Sequence, residues 1–243
     1  MSKAEIFWLS FSLLGAAFSA VEQRWPSRKR ESEATLPADA ASFFLYQLFF
    51  YPFAVSITDR LIPHLHYPSE LLQVPLAIRV VVAYLVADLG SYWMHRLMHT
   101  KHIWRIHKWH HSPTVMYWLA GVRATIPQQI LFNLPYVFVV PLLSGAPRWI
   151  FLVMMVHGLF QNNFMHMNTT WRSNVLEWFI VTPRYHHIHH SVDITTHGGN
   201  YGALFTFWDR IFKTYRNPDE FTPEAFGTGT GDTDAPERLI VGF

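Results

Sequence analysis

The chain has 243 residues, of which half are hydrophobic, 16% are aromatic and only 15% are charged. This composition excludes a disordered chain, and a net charge of +2 gives no reason to expect a nucleic-acid-binding protein. The lack of cysteine excludes disulfides, thiolate-bound metals and cysteine nucleophiles. At this length we expect a single domain.

Five apolar segments follow one another along the chain, each close to the roughly 20 residues that cross a bilayer as a helix. They are residues 6–21, 41–58, 71–94, 126–146 and 149–171. The basic cluster at residues 24–30 favours a retained anchor over a cleaved signal peptide at the first segment. Pro135 and Pro141 leave open whether the fourth segment spans the membrane or is re-entrant.

The distribution of positive charge predicts the orientation of these segments. Of the 19 Lys and Arg residues, 15 lie in residues 22–40, 95–125 and 172–243. Because positive loops remain in the cytoplasm, these three regions are predicted to be cytoplasmic. Arg79 and Asp88 fall inside the third segment, where charged side chains require a partner, an aqueous cavity or the interface.

Ten of the 15 histidines lie in residues 95–111 and 186–190, two windows that cover only 22 residues. Helical spacing of i, i+3 and i, i+4 groups the side chains of His95 with His99, of His107 with His110 and His111, and of His186 with His189 and His190. His166 lies near the end of the fifth segment at the same predicted depth, one helical turn after Asn162. This density of imidazoles at ligand spacing predicts a metal site, with these eight grouped histidines and His166 as its ligands.

The number and type of these side chains narrow the metal chemistry. Imidazole suits zinc, copper, iron and nickel, and eight or more histidines exceed the four ligands of one structural zinc. Two metals are therefore predicted. No Asp or Glu lies inside either window, which disfavours a hydrolytic two-metal site and favours oxygen chemistry at iron.

The three groups of histidines resemble the histidine boxes of the fatty acid hydroxylase/sterol desaturase superfamily. Similar stretches surround them at residues 88–99 (DLGSYWMHRLMH), 104–112 (WRIHKWHHS) and 200–215 (NYGALFTFWDRIFKTY). Asn162 stands where some relatives have His, and His187 stands where many have Arg. The pattern alone does not decide whether either of these two residues binds metal.

The resemblance implies an integral-membrane oxygenase with two iron ions and O2 as co-substrate, which hydroxylates or desaturates an aliphatic chain. Zinc can occupy such a site in purified protein. The implied partners are a fatty acyl, sphingoid, sterol or carotenoid lipid and a separate electron donor, either a cytochrome b5-like protein, a ferredoxin or a reductase. Hydrogen-bond partners that orient the ligand rings are expected among Asp88, Asn162, Asp193 and Asn200.

Two other functions fit parts of the pattern. A membrane metal-binding or metal-transport protein would carry ionisable residues along its spans, and these spans are nearly free of them. A zinc hydrolase would place a Glu or Asp beside its ligands as a general base, and no H-E-x-x-H motif is present.

The sequence therefore predicts an all-α integral membrane protein of four to five transmembrane or re-entrant helices, with a cytoplasmic helical cap holding a histidine-rich di-metal site. The predicted parts are residues 1–94, 95–125, 126–171, 172–216 and a loose tail at 217–243. Both the bacterial inner membrane and the endoplasmic reticulum fit as locations.

Overall fold

A computed structural model describes residues 3–28, 36–195 and 198–229. Lys29 and Arg30 of the predicted basic cluster, and residues 230–243 of the predicted tail, lie outside the described residues. Within the described part, the α-helices are α1 Lys3–Arg24, α2 Leu36–Leu45, α3 Tyr51–Thr58, α4 Ser69–Gln73, α5 Leu76–Met98, α6 Arg105–His111, α7 Ile126–Val139, α8 Arg148–His166, α9 Pro183–His189, α10 Val192–Thr195 and α11 Phe207–Ile211.

Short non-α segments complete the backbone. A π-helical turn, Tyr46–Phe50, joins α2 to α3, and 3₁₀ turns occur at Asp59–His64, Ala120–Val122, Val140–Leu143 and Leu176–Trp178. Extended pairing in the described residues is limited to two isolated antiparallel bridges, Ile180 with Phe205 and Ser191 with Phe226.

Four helical stretches are long and apolar enough to cross a membrane: Glu5–Arg24, Asp39–His64, Leu76–Met98 and Ile126–Leu143. The prediction of an all-α integral membrane protein is thereby confirmed. The fifth predicted segment forms helix α8, which is not one of these four stretches. Many large apolar side chains on the four stretches are exposed, which suits a surface facing lipid.

Helix α5 is the central element of the membrane part and packs against α7, which in turn packs against α3. Gly90 permits the close approach of α5 to α7, because a Cβ at this position would lie 2.7 Å from Cβ of Pro135. Arg79, near the start of α5, donates hydrogen bonds to the carbonyl oxygens of Val74, Leu142 and Ser144. The Arg79 charge is therefore satisfied by backbone carbonyl groups, two of which belong to the turn that follows α7.

Local sequence signals set the starts of two helices around the histidines. Thr125 caps α7 by accepting a hydrogen bond from the Gln128 amide, and its hydroxyl donates to the carbonyl of Ile106 in α6. Thr182 caps α9 in the same way, and Pro183 occupies the first helical position. These caps fix where the second and third groups of histidines lie.

Part of the predicted tail contacts the histidine-bearing region. The Val192 amide donates to the carbonyl of Ala225, and the guanidinium of Arg28 donates to the carbonyl of Glu224. The buried ring of Phe226 packs against the ring of His187. The guanidinium of Arg28 lies over the Phe226 ring, 4.5 Å from its centre. Residues 224–226 thus connect the end of α1 to the chain that follows α9.

Candidate metal centre

Nine histidines form two clusters at the cytoplasm-facing end predicted for α5. Cluster one consists of His95, His99, His107, His111 and His189, and cluster two consists of His110, His166, His186 and His190. Within each cluster, one ring nitrogen from every member lies within 4.8 Å of the others. These nine residues are the histidines that the sequence analysis named as metal ligands.

The helices divide their histidines between the clusters according to angular position. Residues at i and i+4 are about 40° apart around a helix, so His107 and His111 both reach cluster one. His110 lies about 100° around the helix from His111 and joins cluster two, with its ring centre 4.9 Å from that of His107. On α9 the assignment is reversed, since His186 and His190 enter cluster two. Neighbouring His189 enters cluster one.

The two clusters adjoin each other. The rings of His111 and His190, one from each cluster, stack with their centres 4.3 Å apart. The ring centres of His110 and His111, which are consecutive in α6, are 5.5 Å apart. Two ions held by these clusters would therefore be neighbours in a single centre.

Backbone carbonyl groups orient four of the nine rings. The Nδ1 atoms of these rings lie near backbone carbonyl oxygens, in the pairs His95–Tyr201 at 2.8 Å, His110–Arg123 at 3.1 Å, His166–Asn162 at 2.6 Å and His189–Gly199 at 2.9 Å. The Asn162 carbonyl belongs to the same helix as His166, and the other three belong to separate segments. Because a carbonyl oxygen only accepts, each Nδ1 must carry the hydrogen. The lone pair on Nε2 is then free for a metal ion.

The remaining ring nitrogens fit a bound cation. Both nitrogens of His99, His107 and His111, and Nε2 of His95 and His189, are buried without a hydrogen-bond partner among the described residues. Such groups are costly to bury unless something binds them.

Distances in cluster two support the same interpretation. Nε2 of His186 lies 3.1 Å from Nε2 of His166 and 3.1 Å from Nε2 of His190. Two nitrogens that each lie about 2.1 Å from one ion stand roughly 3.0–3.4 Å apart at ordinary coordination angles. These nitrogens of His166, His186 and His190 therefore have the spacing of ligands to one ion.

Burial keeps these imidazoles neutral, which is the form that binds metal. Burial lowers the pKa of His107, His111 and His190 well below its usual range, and the neighbouring histidines lower it further. For His110, burial lowers the pKa to about 4, although the hydrogen bond to the Arg123 carbonyl opposes this shift.

Stability of the metal-free protein should therefore fall on acidification. Between the unfolded pKa of about 6.5 and the lowered folded values, the unfolded chain binds more protons, so the free energy of unfolding decreases as pH falls. A shift such as that of His110 corresponds to a loss on the order of 3 kcal/mol, which is complete only below the folded pKa of about 4 and is partly developed at pH 5. Thermal unfolding of metal-free protein at pH 7.5, 6 and 5 measures this, and His110→Phe should show a shallower dependence. Constant stability across this range would contradict the expectation.

Two of the four residues that were predicted to orient ligand rings through their side chains, Asn162 and Asp88, make other contacts. Asn162 uses its main-chain carbonyl to accept from His166, while its amide nitrogen donates to the carbonyl of Gly121 at 3.3 Å. Asp88 accepts hydrogen bonds from the amides of Leu204 and Phe205 and from the indole of Trp208. Asp88 therefore holds the loop that follows the third group of histidines against α5.

The other two predicted residues differ in location. Asp193 is exposed on α10, whereas the clustered rings are mostly buried. Asn200 is fully buried with φ of +53°, and its amide nitrogen donates to the carbonyls of Tyr185 and Arg216. It therefore fixes the loop whose neighbouring carbonyls, at Gly199 and Tyr201, accept from cluster one.

Replacing Asn200 should weaken metal binding at cluster one. Asn200→Ala is expected to lower the affinity roughly 10–100-fold, as is typical when partners of ligand histidines are lost. Asn200→Gly tolerates the positive φ and loses only the side-chain bonds, so its effect should be smaller but in the same direction. Competition for the metal with a chelator measures both. Wild-type affinity in the glycine variant would show that the side-chain bonds do not matter.

Several residues that support the centre were not predicted. The buried Asp209 accepts from the amides of Tyr201 and Gly202 and from the hydroxyls of Tyr185 and Thr214, which fixes the same loop. The ring of Tyr201 lies 5.1 Å from that of His99. Asp209 lies in the stretch that resembles the family, but its sequence position gives no indication of these four bonds.

A buried ion pair fixes Arg123, whose backbone carbonyl orients His110. Arg123, whose carbonyl accepts from His110, pairs with Asp39, and Asp39 also accepts from the hydroxyl of Tyr117. The guanidinium of Arg123 also lies over the ring of Trp109 at 4.6 Å. The membrane helix that begins near Asp39 is thereby joined to the segment carrying the second group of histidines.

The other described histidines lie outside both clusters. His187 is buried against Phe226, with Nε2 3.4 Å from the carbonyl of His166. His102 is exposed, and Nδ1 of His66 lies near the carbonyl of His64. The ring of His157 packs against that of Tyr84. His197 lies outside the described residues.

Apolar membrane-length helices with two adjoining all-histidine clusters define a membrane metalloprotein with nitrogen-rich ligation. The chain belongs to the fatty acid hydroxylase family, because the sequence profile of that family matches residues 80–214. The match covers more than half of the chain and includes all nine clustered histidines. The predicted family is therefore confirmed.

Relatives from bacteria, animals and fungi are similar to the chain. Ornithine lipid hydroxylase OlsE of Rhizobium tropici is 32% identical over 79% of the chain and 56% of its own length. Alkylglycerol monooxygenase of Danio rerio is 30% identical over 55% of the chain and 30% of its length. Delta(7)-sterol 5(6)-desaturase of Gibberella zeae is 28% identical over 59% of the chain and 43% of its length. The chain thus spans about half or less of these relatives, and no solved structure matches it.

Proposed function

We propose that the protein is an O2-dependent oxidoreductase that uses two iron ions to hydroxylate an aliphatic C–H bond of a membrane lipid. The observation that carries this proposal is the pair of adjoining clusters of nine histidines, seven of which have a buried ring nitrogen without a hydrogen-bond partner among the described residues. Neither cluster includes a carboxylate, which distinguishes the site from carboxylate-bridged hydrolytic sites. Membership of the fatty acid hydroxylase family supports the same reaction class.

Cluster one would hold one ion and cluster two the other. When bound, the iron ions supply the activation of O2 that an unreactive C–H bond requires. The protein's own groups keep the imidazoles neutral by burial and aim four of them through backbone carbonyls. Cluster one would offer five histidines to its ion and cluster two would offer four, so the two ions would have different ligand sets.

Aromatic rings surround cluster one and limit the space for water. Trp104 lies with its ring centre 5.0 Å from that of His99, and Phe132 lies 5.6 Å from His95. Phe132 belongs to α7, a membrane-length helix, so it brings an apolar group from the membrane part to the cluster. An alkyl chain approaching past Phe132 would remain in apolar surroundings until it reached the metal ligands.

The relatives suggest the type of substrate. The similarity to the ornithine lipid hydroxylase extends over most of the chain, which supports hydroxylation of an alkyl or acyl chain of a polar lipid. Desaturation is the second candidate, supported by the similarity to the sterol desaturase. Both reactions begin with removal of hydrogen from carbon, and they differ in whether oxygen is then added or a second hydrogen is removed.

The orientation and partners complete the proposal. Lys and Arg concentrate in the loops next to the histidine clusters, which supports a cytoplasmic metal centre in the bacterial inner membrane or the endoplasmic reticulum. Electrons would come from a separate protein, either cytochrome b5-like, a ferredoxin or a reductase.

The reaction is tested by anaerobic loading of the purified protein with Fe(II), followed by O2, a reducing system and total host lipids. Mass spectrometry of the lipids should show a product heavier by one oxygen atom, which would establish hydroxylation. Loss of two hydrogens would establish desaturation instead. Stable metal binding without any iron-dependent product would favour the alternative of a non-catalytic metal-binding or metal-transport protein.

A further inference from the structure

One face of helix α5 remains exposed along its whole length. Ile78, Val82, Val86, Trp93 and Leu97 are all at least 40% exposed. At about 100° per residue these five positions fall within a single arc of about 100°. Trp93 and Leu97, near the histidine end, therefore continue the lipid-facing surface of a membrane-length helix.

Residues of the cap extend this surface beyond α5. The ring of Phe212 packs against Trp93 with centres 4.8 Å apart, which places its neighbour Ile211 beside the end of α5. The guanidinium of Arg210 lies 4.5 Å from the ring centre of Trp178. Ile211, Trp178 and Phe179 are each about 60% exposed. We define the cap patch as Trp93, Leu97, Trp178, Phe179 and Ile211.

The composition of the cap patch is that of a membrane interface. Tryptophan concentrates where lipid headgroups meet hydrocarbon, and arginine places its apolar stem on such a surface while its charge reaches water. Arg96 lies over Trp93 at 5.3 Å, just as Arg210 lies over Trp178, so both exposed indoles carry a cation. Soluble surfaces rarely leave this many large apolar side chains together.

We propose that the cap patch rests in the interfacial layer of the bilayer, beside the cytoplasmic end of α5. The occupant is the lipid surface, because the patch is continuous with the exposed face of a membrane-length helix. A lipid chain could then pass from the bilayer to the histidine clusters without crossing bulk water. The proposed location depends on neither the bound metal nor the reaction.

The absence of native cysteine allows a direct test by single spin labels. Phe179→Cys and Ile211→Cys would be labelled in protein reconstituted into phosphatidylcholine vesicles, with Trp178→Cys as a third probe on the same patch. Val82→Cys on the exposed face of α5 is the lipid control, and His102→Cys in the exposed loop is the aqueous control. Collisions with O2, which concentrates in bilayers, are compared with collisions with water-soluble chromium oxalate.

Labels at 179 and 211 should collide more with O2 than with chromium oxalate, as at 82, whereas the label at 102 should show the opposite order. Aqueous behaviour at 179 and 211 would overturn the proposal. Protection from both reagents would overturn it as well, because a second copy or another protein would then cover the patch. Metal content equal to that of the unaltered protein verifies that each labelled variant is folded.

Discussion

Replacing His189 or His190 with alanine should remove one metal ion each, but from different clusters. The two residues are adjacent in sequence, and yet His189 belongs to cluster one and His190 to cluster two. Each variant is expected to bind one ion where the unaltered protein binds two, and product formation should fall more than about 100-fold. Losing a ligand should cost at least as much as losing a ligand's partner, which typically costs 10–100-fold.

The same short helix provides the matched control. His187 precedes His189 by two positions and His190 by three, but it packs against Phe226 and belongs to neither cluster. His187→Ala should therefore keep two ions per chain, as should His102→Ala in the exposed loop. Metal analysis of the purified variants, together with the lipid assay, measures both quantities. If His187→Ala lost an ion as readily as His189→Ala, the assignment of ligands to clusters would be wrong.

Gly121→Ala should disable cluster two without changing any ligand. A Cβ at position 121 would lie 2.5 Å from Nδ1 and 2.8 Å from Cε1 of His166, far closer than atoms can approach. The ring has little freedom to move, because Nδ1 is held by the carbonyl of Asn162 and Nε2 lies 3.1 Å from Nε2 of His186. We expect loss of the ion from cluster two, retention of the ion in cluster one, and activity reduced by more than about 100-fold.

Gly158→Ala in helix α8 is the matched control for this substitution. A Cβ at Gly158 would have nothing within 4 Å, so no side chain needs to move. Alanine in a helix interior is favoured over glycine by up to about 1 kcal/mol, so this variant should keep both ions and unfold at the same or a higher temperature. Two ions per chain in Gly121→Ala would mean that His166 is not required to hold metal.

Asp88 shows how a sequence can identify an important position while leaving its role open. A carboxylate inside an apolar segment requires a partner, and the sequence predicted one in the metal centre. In the structure its oxygens accept from Leu204, Phe205 and Trp208. These partners are 116 or more positions away along the chain, and only the folded chain brings them to α5.

The sequence by itself determined the class of protein and identified the nine histidines that lie together in two clusters. Long apolar runs satisfy their backbone hydrogen bonds only as helices in a bilayer, so composition and length were sufficient for the fold class. Imidazoles four residues apart share a helix face, which is why pairs such as His95 with His99 and His186 with His190 fall within one cluster.

Only the tertiary structure decided how helices divide their histidines between two clusters and what orients the rings. The separation of His110 from His107 and His111 depends on which helices pack on each side of α6. The orienting groups are mainly backbone carbonyls, such as those of Gly199 and Arg123. Every residue has such a carbonyl, so side-chain identity carries no signal for this role, and its direction is set by packing between segments far apart in the chain.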